Sequence, residues 1–134
     1  MSDYYRIQNS VLKKSDIVLV ERSGNEFSGF KLKFILRGNF VVDFDYELYS
    51  ELEYDLDILE GLDFISINEI EIDDDFIVSV TYVNKDYLAG IYFEEKYLTR
   101  SVIVASVFLT DGIDEIYPII TDFKSIDEGV KSVE

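Results

Sequence analysis

The amino-acid sequence predicts a mainly β domain of the α+β class: an antiparallel twisted sheet curled into a sandwich or partial barrel. About eight apolar, β-branched and aromatic runs are separated by turn signals, at a spacing typical of antiparallel folds. Strands do not alternate with long helical patterns, which argues against a parallel sheet. One segment, near residues 51–60, departs from the strand pattern and predicts a single short helix.

Size and composition predict one antiparallel β domain over residues 1–123 and a polar tail over residues 124–134 that frays or forms a brief helix. The chain has 134 residues, 48% hydrophobic and 15% aromatic, which is enough to build a core. Cys is absent, so disulfides and thiolate metal sites are excluded. The N-terminus has no apolar core of signal-peptide length and no apolar run spans a bilayer, so we expect a cytoplasmic protein.

The first part of the chain predicts a series of strands joined by tight turns. Gly38-Asn39 joins two alternating runs, and because both residues tolerate positive φ, this is the strongest hairpin signal in the chain. We expect Lys33 to lie close to Asp43 across that hairpin, since opposite charges favour the register. The predicted elements are strands at Tyr4–Gln8, Asp16–Arg22 and Phe27–Arg37, a turn at Ser23–Asn25, and a strand starting at Phe40.

Residues 40–58 alternate so that even positions are apolar or aromatic, except Ser50, and odd positions are mostly Asp or Glu. This pattern predicts one buried side and one side lined by carboxylates. Beyond Leu48 it fits either a continued strand or a helix. Ser50 and Glu53 match a capping box, and Gly61 stands where a helix ends, so we favour a helix from about Glu51 to Glu60.

The second part of the chain predicts five more strands. Asn68 and Glu69 lie where the apolar phase of the first of these strands changes, which indicates a β-bulge. Pro118 predicts that the last strand lies at a sheet edge. The predicted elements are strands at Phe64–Ile72, Phe76–Val83, Gly90–Leu98, Arg100–Leu109 and Glu115–Asp122, with turns at Asp73–Asp75, Asn84–Asp86 and Asp111-Gly112.

The charge is strongly negative and unevenly distributed along the chain. The net charge is −16, and residues 38–84 contain 14 Asp and Glu but no Lys or Arg. Such asymmetry predicts a basic partner protein rather than a particular fold. It argues against direct binding to nucleic acid and to anionic membranes, both of which attract Lys and Arg.

No residue pattern predicts catalysis or a cofactor. His and Cys are absent, and neither a Gly-x-Ser-x-Gly elbow nor a phosphate-binding loop is present, so we expect no enzyme activity. Asp73–Asp75, with Glu71, offer oxygen ligands that suit calcium. Because the EF-hand spacing is missing, we favour a solvated hairpin turn and predict no metal site.

These observations predict a binding protein that neutralises a basic partner, most naturally an immunity protein for a nuclease-type bacterial toxin. In size, acidity and lack of catalytic residues the chain is similar to that broad class, although no motif carries the similarity. Two alternatives are a phage-encoded nucleic-acid mimic that inhibits a defence protein, and a phage or structural assembly protein. We expect a monomer or homodimer. The predicted partner-binding residues are Asp43, Asp45, Glu47, Tyr49, Glu51, Asp55, Glu69, Glu71, Asp73 and Asp74.

Overall fold

The computed structural model describes residues 3–110 and 117–134, and it confirms a mainly β fold with an antiparallel, twisted sheet. The sheet has eight strands in the order β5-β4-β3-β7-β6-β10-β9-β8, and β1 and β2 form a separate hairpin. The sheet is open, with β5 and β8 at its two edges. The strands are β1 Tyr4–Ile7, β2 Ser10–Lys13, β3 Ile17–Asn25, β4 Gly29–Leu36, β5 Phe40–Tyr46, β6 Phe64–Ile70, β7 Ile77–Asn84, β8 Leu88–Tyr97, β9 Ser101–Leu109 and β10 Tyr117–Thr121.

The β4–β5 hairpin has the predicted turn and register. Gly38 and Asn39 both have positive φ, 88° and 67°, which fits the tight connection. Lys33 lies opposite Asp43, as predicted, and Lys31 lies opposite Asp45.

The turn predicted at Ser23–Asn25 is wrong, because β3 continues to Asn25 and the turn occupies residues 26–28. Gly24 is a paired strand residue with a φ of 103°, opposite Phe30. A Cβ at Gly24 would collide with the carbonyl oxygen of Gly29, so this glycine permits a close approach of two strands. Phe27, which was predicted to begin the next strand, lies in the turn instead.

A helix forms where the 51–60 segment predicted one, but it begins earlier. Helix α1 spans Tyr49–Asp55 and continues as a 3-10 turn at Leu56–Leu59, after which Gly61 has a φ of 83°. The predicted capping box does not form, because Leu48 is the N-cap and no side chain caps it. The ring of Tyr49 packs against Phe30 of β4, and this tertiary contact favours an earlier first turn than local capping predicts.

One face of the sheet is covered by α1 and by the β1–β2 hairpin, whose second strand the sequence did not reveal. Strand β2 carries Val11 and Leu12, of which only Leu12 is buried, so its apolar signal is weak. The core on this face contains Ile7, Leu12, Ile17, Val20, Leu32, Phe34, Phe44, Tyr46, Leu52 and Ile58.

The opposite face holds a second core and carries the C-terminal helix. The buried residues here are Val18, Leu19, Ile35, Ile65, Ile67, Val83, Val107 and Ile119.

The residues predicted as a polar tail form a helix rather than a frayed end. Helix α2 spans Ile126–Val133 and is capped by Ser125, whose hydroxyl accepts a 3.1 Å hydrogen bond from the Glu128 amide. Gly129 faces Phe93 so closely that a Cβ would lie 2.8 Å from its ring, so α2 docks on β8. Within the described ranges, no helix combines the length and the apolar character needed to cross a membrane.

Two predictions about the later strands have different outcomes. The bulge in β6 is confirmed, since its register with β7 shifts between Glu69 and Ile70. The edge position of Pro118 is wrong, because β10 lies between β6 and β9. Among the described residues β10 pairs with β6 only at Thr121–Glu69, so Pro118 needs no partner on that side. The predicted turn at Asp111-Gly112 and the predicted strand start at Glu115 lie outside the described residues.

Candidate functional site

Several turns and the start of α1 meet at one end of the large sheet. Ser23 near the end of β3 lies opposite Lys31 near the start of β4 and opposite Ser79 near the start of β7. Lys31 in turn lies opposite Asp45, near the end of β5. We call this region the turn end and define it as residues 26–30, 45–49 and 71–78.

Three adjoining hollows lie along the turn end and α1. The Phe27 hollow, of about 570 Å³, and the Tyr49 hollow, of about 150 Å³, share Phe30. The Tyr54 hollow, of about 370 Å³, shares Tyr46 with the Phe27 hollow. The carboxylates that line them are Glu26, Asp45 and Glu47 in the Phe27 hollow, and Glu51 and Asp55 in the Tyr54 hollow.

The structure therefore brings together half of the predicted partner-binding residues. The Phe27 hollow is lined by Asp45 and Glu47, the Tyr49 hollow by Tyr49, and the Tyr54 hollow by Glu51 and Asp55. Asp43 is exposed on the same face of β5 as Asp45, one alternation earlier along the strand. The remaining four are Glu69, Glu71, Asp73 and Asp74, which lie on β6 and in the β6–β7 turn.

The two acidic groups share a face of the sheet but are separated by other strands. Asp45 and Glu69 belong to one cross-strand row that runs through Lys31, Ser23 and Ser79. Four strand steps correspond to about 19 Å along the sheet. The expected carboxylate side is thus interrupted, because β4 places Lys31 and Lys33 directly beside Asp45 and Asp43.

Tyr49 is held in place by an aromatic and cationic cluster. Its ring packs edge to face on Phe30, with ring centroids 5.4 Å apart. Arg22 donates a hydrogen bond to the Tyr49 hydroxyl. The Arg22 guanidinium also lies 5.6 Å from the Tyr49 ring centroid and 6.0 Å from that of Tyr82. These contacts fix the orientation of a ring that stays 39% exposed.

Sequence reasoning did not identify Arg22 and Phe30 as part of the site. Arg22 ends the predicted strand Asp16–Arg22, and Phe30 lies in the alternating run Phe27–Arg37, so both occupy ordinary strand positions. Their role depends on α1, which returns over β3 and β4 and sets Tyr49 against them. The sequence contains no local signal for that return.

Asp55 differs from the other predicted carboxylates because a buried group holds it. The Tyr46 hydroxyl donates a 2.8 Å hydrogen bond to Asp55 Oδ2, and Tyr46 is only 6% exposed. Burial, and next the hydrogen bond to Asp55, raise the pKa of Tyr46 well above its usual range, so the phenol remains protonated. Asp55 therefore anchors α1 to β5, whereas Glu47 and Glu51 are exposed to solvent.

Structural contacts also involve the second acidic group, Glu69, Glu71, Asp73 and Asp74, and the adjoining Asp75. Asp75 pairs with Arg100, and Arg100 Nε donates a 3.2 Å hydrogen bond to the Ile72 carbonyl. Glu69 is partly buried, and this burial, followed by repulsion from Glu21, raises its pKa. Throughout residues 3–110 and 117–134, no three acidic side chains are grouped so that they could hold a metal ion.

The turn end also exposes apolar side chains that the sequence placed inside strands. Phe27 is 99% exposed at the tip of the β3–β4 turn, and Phe76 is 67% exposed just before β7. The sequence offered one indication of this exposure, because Phe27 and Phe76 each lie beside turn-forming residues. The exposed apolar residues at the turn end are Phe27, Leu48, Tyr49, Phe76, Ile77 and Val78.

Comparison of the chain with models of protein families, with curated proteins and with solved structures finds no match in any of the three.

Proposed function

We propose that this protein is a non-catalytic inhibitor that binds and neutralises a basic partner protein, in the manner of an immunity protein for a nuclease-type bacterial toxin. The observation that carries the proposal is the arrangement around the three hollows. Exposed carboxylates of Asp45 and Glu47 line the Phe27 hollow, which shares Phe30 with the hollow of Tyr49, and Glu51 lines the Tyr54 hollow. Tyr49 is an aromatic ring with a fixed orientation. Such a surface combines a charged rim with an aromatic anchor. This composition is usual in protein interfaces where a few residues supply most of the binding energy.

The charge of the whole molecule supports a basic partner. A net charge of −16 creates a long-range field that attracts positively charged surfaces and repels acidic ones. The substrate-binding surface of a nuclease is basic because it must hold phosphates. Opposite potentials accelerate the encounter of two proteins, most strongly at low salt. Occupying that surface would block the nuclease without any chemical step.

A phosphate mimic is less well supported. Such a mimic needs a regular row of anions, and on β5 the row consists of Asp43 and Asp45, each beside a lysine of β4. Lys31 and Lys33 would reduce the local negative potential that a DNA-binding protein recognises. An assembly protein could use the open sheet edges at β5 and β8, but it would leave the charge asymmetry of residues 38–84 unexplained, so we retain the inhibitor.

The test begins with isolation of the partner. Immobilised protein is incubated with a cell extract of the source organism at low ionic strength, and bound proteins are eluted with salt. A captured basic protein is then purified, and its hydrolysis of DNA and RNA is measured with and without an equimolar amount of this protein. We expect inhibition of one such nuclease, with an association rate that falls steeply as salt increases.

Two charge-reversed variants give this test its specificity. Asp45→Lys with Glu47→Lys should slow association at low salt by about tenfold or more and flatten the salt dependence. Asp127→Lys with Glu134→Lys changes the net charge equally, but at α2 and its C-cap, and should have a much smaller effect. Lys31 and Lys33 are unsuitable controls because they lie beside the acidic residues. Equal effects of the two variants, or full nuclease activity in the complex, would contradict the proposal.

A further inference from the structure

A groove lined by both polar groups and apolar side chains extends over the turn end, from the Phe27 hollow to the Tyr49 hollow. Phe27 and Phe30 line the first hollow, and Phe30, Tyr49 and Val78 line the second together with Ile77. Phe30 lines both hollows, which therefore adjoin, and together they are called the groove. Phe27, Ile77 and Val78 are exposed apolar side chains, and nothing among the described residues covers them.

The groove is preorganised on both sides. The Asn25 side-chain oxygen accepts hydrogen bonds of 2.9 Å from the amides of Phe27 and Ser28, which holds the turn that presents Phe27. At the other side, Phe30 and Arg22 fix the Tyr49 ring. A partner that binds here therefore loses little free energy in ordering the groove.

The rim of the groove has one sign of charge. Glu26, Asp45 and Glu47 line the Phe27 hollow together with the aromatic residues. Within residues 3–110 and 117–134, Arg22 is the one cationic side chain that lines either hollow. It lies against the rings of Tyr49 and Tyr82 and donates a hydrogen bond to the Tyr49 hydroxyl. A side chain that enters the groove at the Phe27 hollow thus meets aromatic rings and carboxylates together.

We infer that the groove seats an aromatic side chain of the partner that is flanked by Arg or Lys, a step that rests on the proposed function. The apolar contact excludes water and supplies most of the affinity, while the carboxylates orient the flanking cations. A purely cationic surface would use the carboxylates but leave the groove empty. A purely apolar segment would meet an uncompensated acidic rim.

Two labelled peptides test this occupant directly. The first probe is fluorescein-labelled Arg-Trp-Arg-Trp-Arg, and the second is the charge-matched Arg-Gly-Arg-Gly-Arg. Anisotropy at low salt should show that the tryptophan peptide binds at least about tenfold more tightly. Phe27→Ala should weaken the tryptophan peptide by about fivefold to tenfold and leave the glycine peptide unchanged. Tyr97→Ala, which removes an exposed aromatic ring outside the groove, should affect neither peptide.

Amide chemical shifts then locate the bound peptide. We expect the tryptophan peptide to shift the amides of Ser28, Tyr49 and Val78. If both peptides bind alike and Phe27→Ala has no effect, the groove does not bind the aromatic side chain. The proposal that the protein attracts basic partners is then retained. If neither peptide binds, both the groove and the proposed basic partner are contradicted. Sedimentation could also show that the wild type is a dimer and that Phe27→Ala is a monomer. The occupant of the groove would then be a second copy of the chain, and the inference would be overturned.

Discussion

The Tyr46 hydroxyl donates a 2.8 Å hydrogen bond to the Asp55 carboxylate, and this bond joins the end of β5 to the last residue of α1. It crosses the segment Glu47–Tyr54, which carries most of the exposed side chains of the candidate site. Because Tyr46 is buried, its hydroxyl needs this partner. The position of the acidic helix therefore depends on a contact within the fold.

Tyr46→Phe should lower the free energy of unfolding by about 1–2 kcal/mol, because it removes a hydrogen bond to a charged group while keeping the ring. Urea unfolding followed by circular dichroism measures the change. Tyr54→Phe is the matched control, since the Tyr54 side chain is exposed, and it should have little effect. Equal stability of Tyr46→Phe and the wild type would show that the bond contributes nothing.

Glu69→Gln should stabilise the protein at neutral pH. Burial, and next Glu21, raise the pKa of Glu69 in the folded state, so the ionised carboxylate opposes folding. This cost is complete above the folded pKa and disappears as the pH falls below 4.5, the ordinary value, where the group is protonated in both states. Urea unfolding from pH 8 to pH 4 should therefore show an advantage of the variant that shrinks towards the acidic end of the series. Exposed Glu71→Gln serves as control, and a pH-independent difference would argue against titration of Glu69.

Arg22→Met should destabilise the fold by about 1–2 kcal/mol, because two cation–π contacts and one hydrogen bond are lost. The variant should also lower the near-ultraviolet circular dichroism of tyrosine, since Tyr49 loses its fixed orientation. Lys13→Met removes an exposed cation and provides the comparison. A tyrosine signal that stays at the wild-type level in Arg22→Met would mean that Phe30 alone orients Tyr49.

Moderate salt should raise the melting temperature. The α1 segment carries Glu51, Glu53, Asp57 and Glu60, all exposed, and the stretch 38–84 has no basic residue to compensate them. Salt screens this repulsion, since the Debye length falls to about 8 Å at physiological ionic strength. Glu53→Lys with Asp57→Lys should reduce the salt dependence measured by thermal unfolding. A melting temperature that is flat or falls with salt would show that repulsion is unimportant.

Much of the fold follows from local patterns in the sequence. Alternation along Phe30–Leu36 and Phe40–Tyr46, joined by Gly38-Asn39, predicted a hairpin and its register, because side-chain period and turn geometry are both local properties. The β6 bulge and a helix near residue 52 were predicted for the same reason. The ends of elements were predicted less well, since Gly24 and Tyr49 take their conformations from contacts with distant residues.

The candidate site shows the same division in physical terms. Composition alone established the acidic character, because charge is a sum over residues and does not depend on the fold. Which charges meet is a matter of strand order: β4 sets Lys31 beside Asp45, and three strands separate Asp45 from Glu69. The contacts of Arg22 and Phe30 with Tyr49 arise from packing between elements far apart in the chain. No window of the sequence contains both partners of such contacts, so their geometry emerges when the sheet assembles.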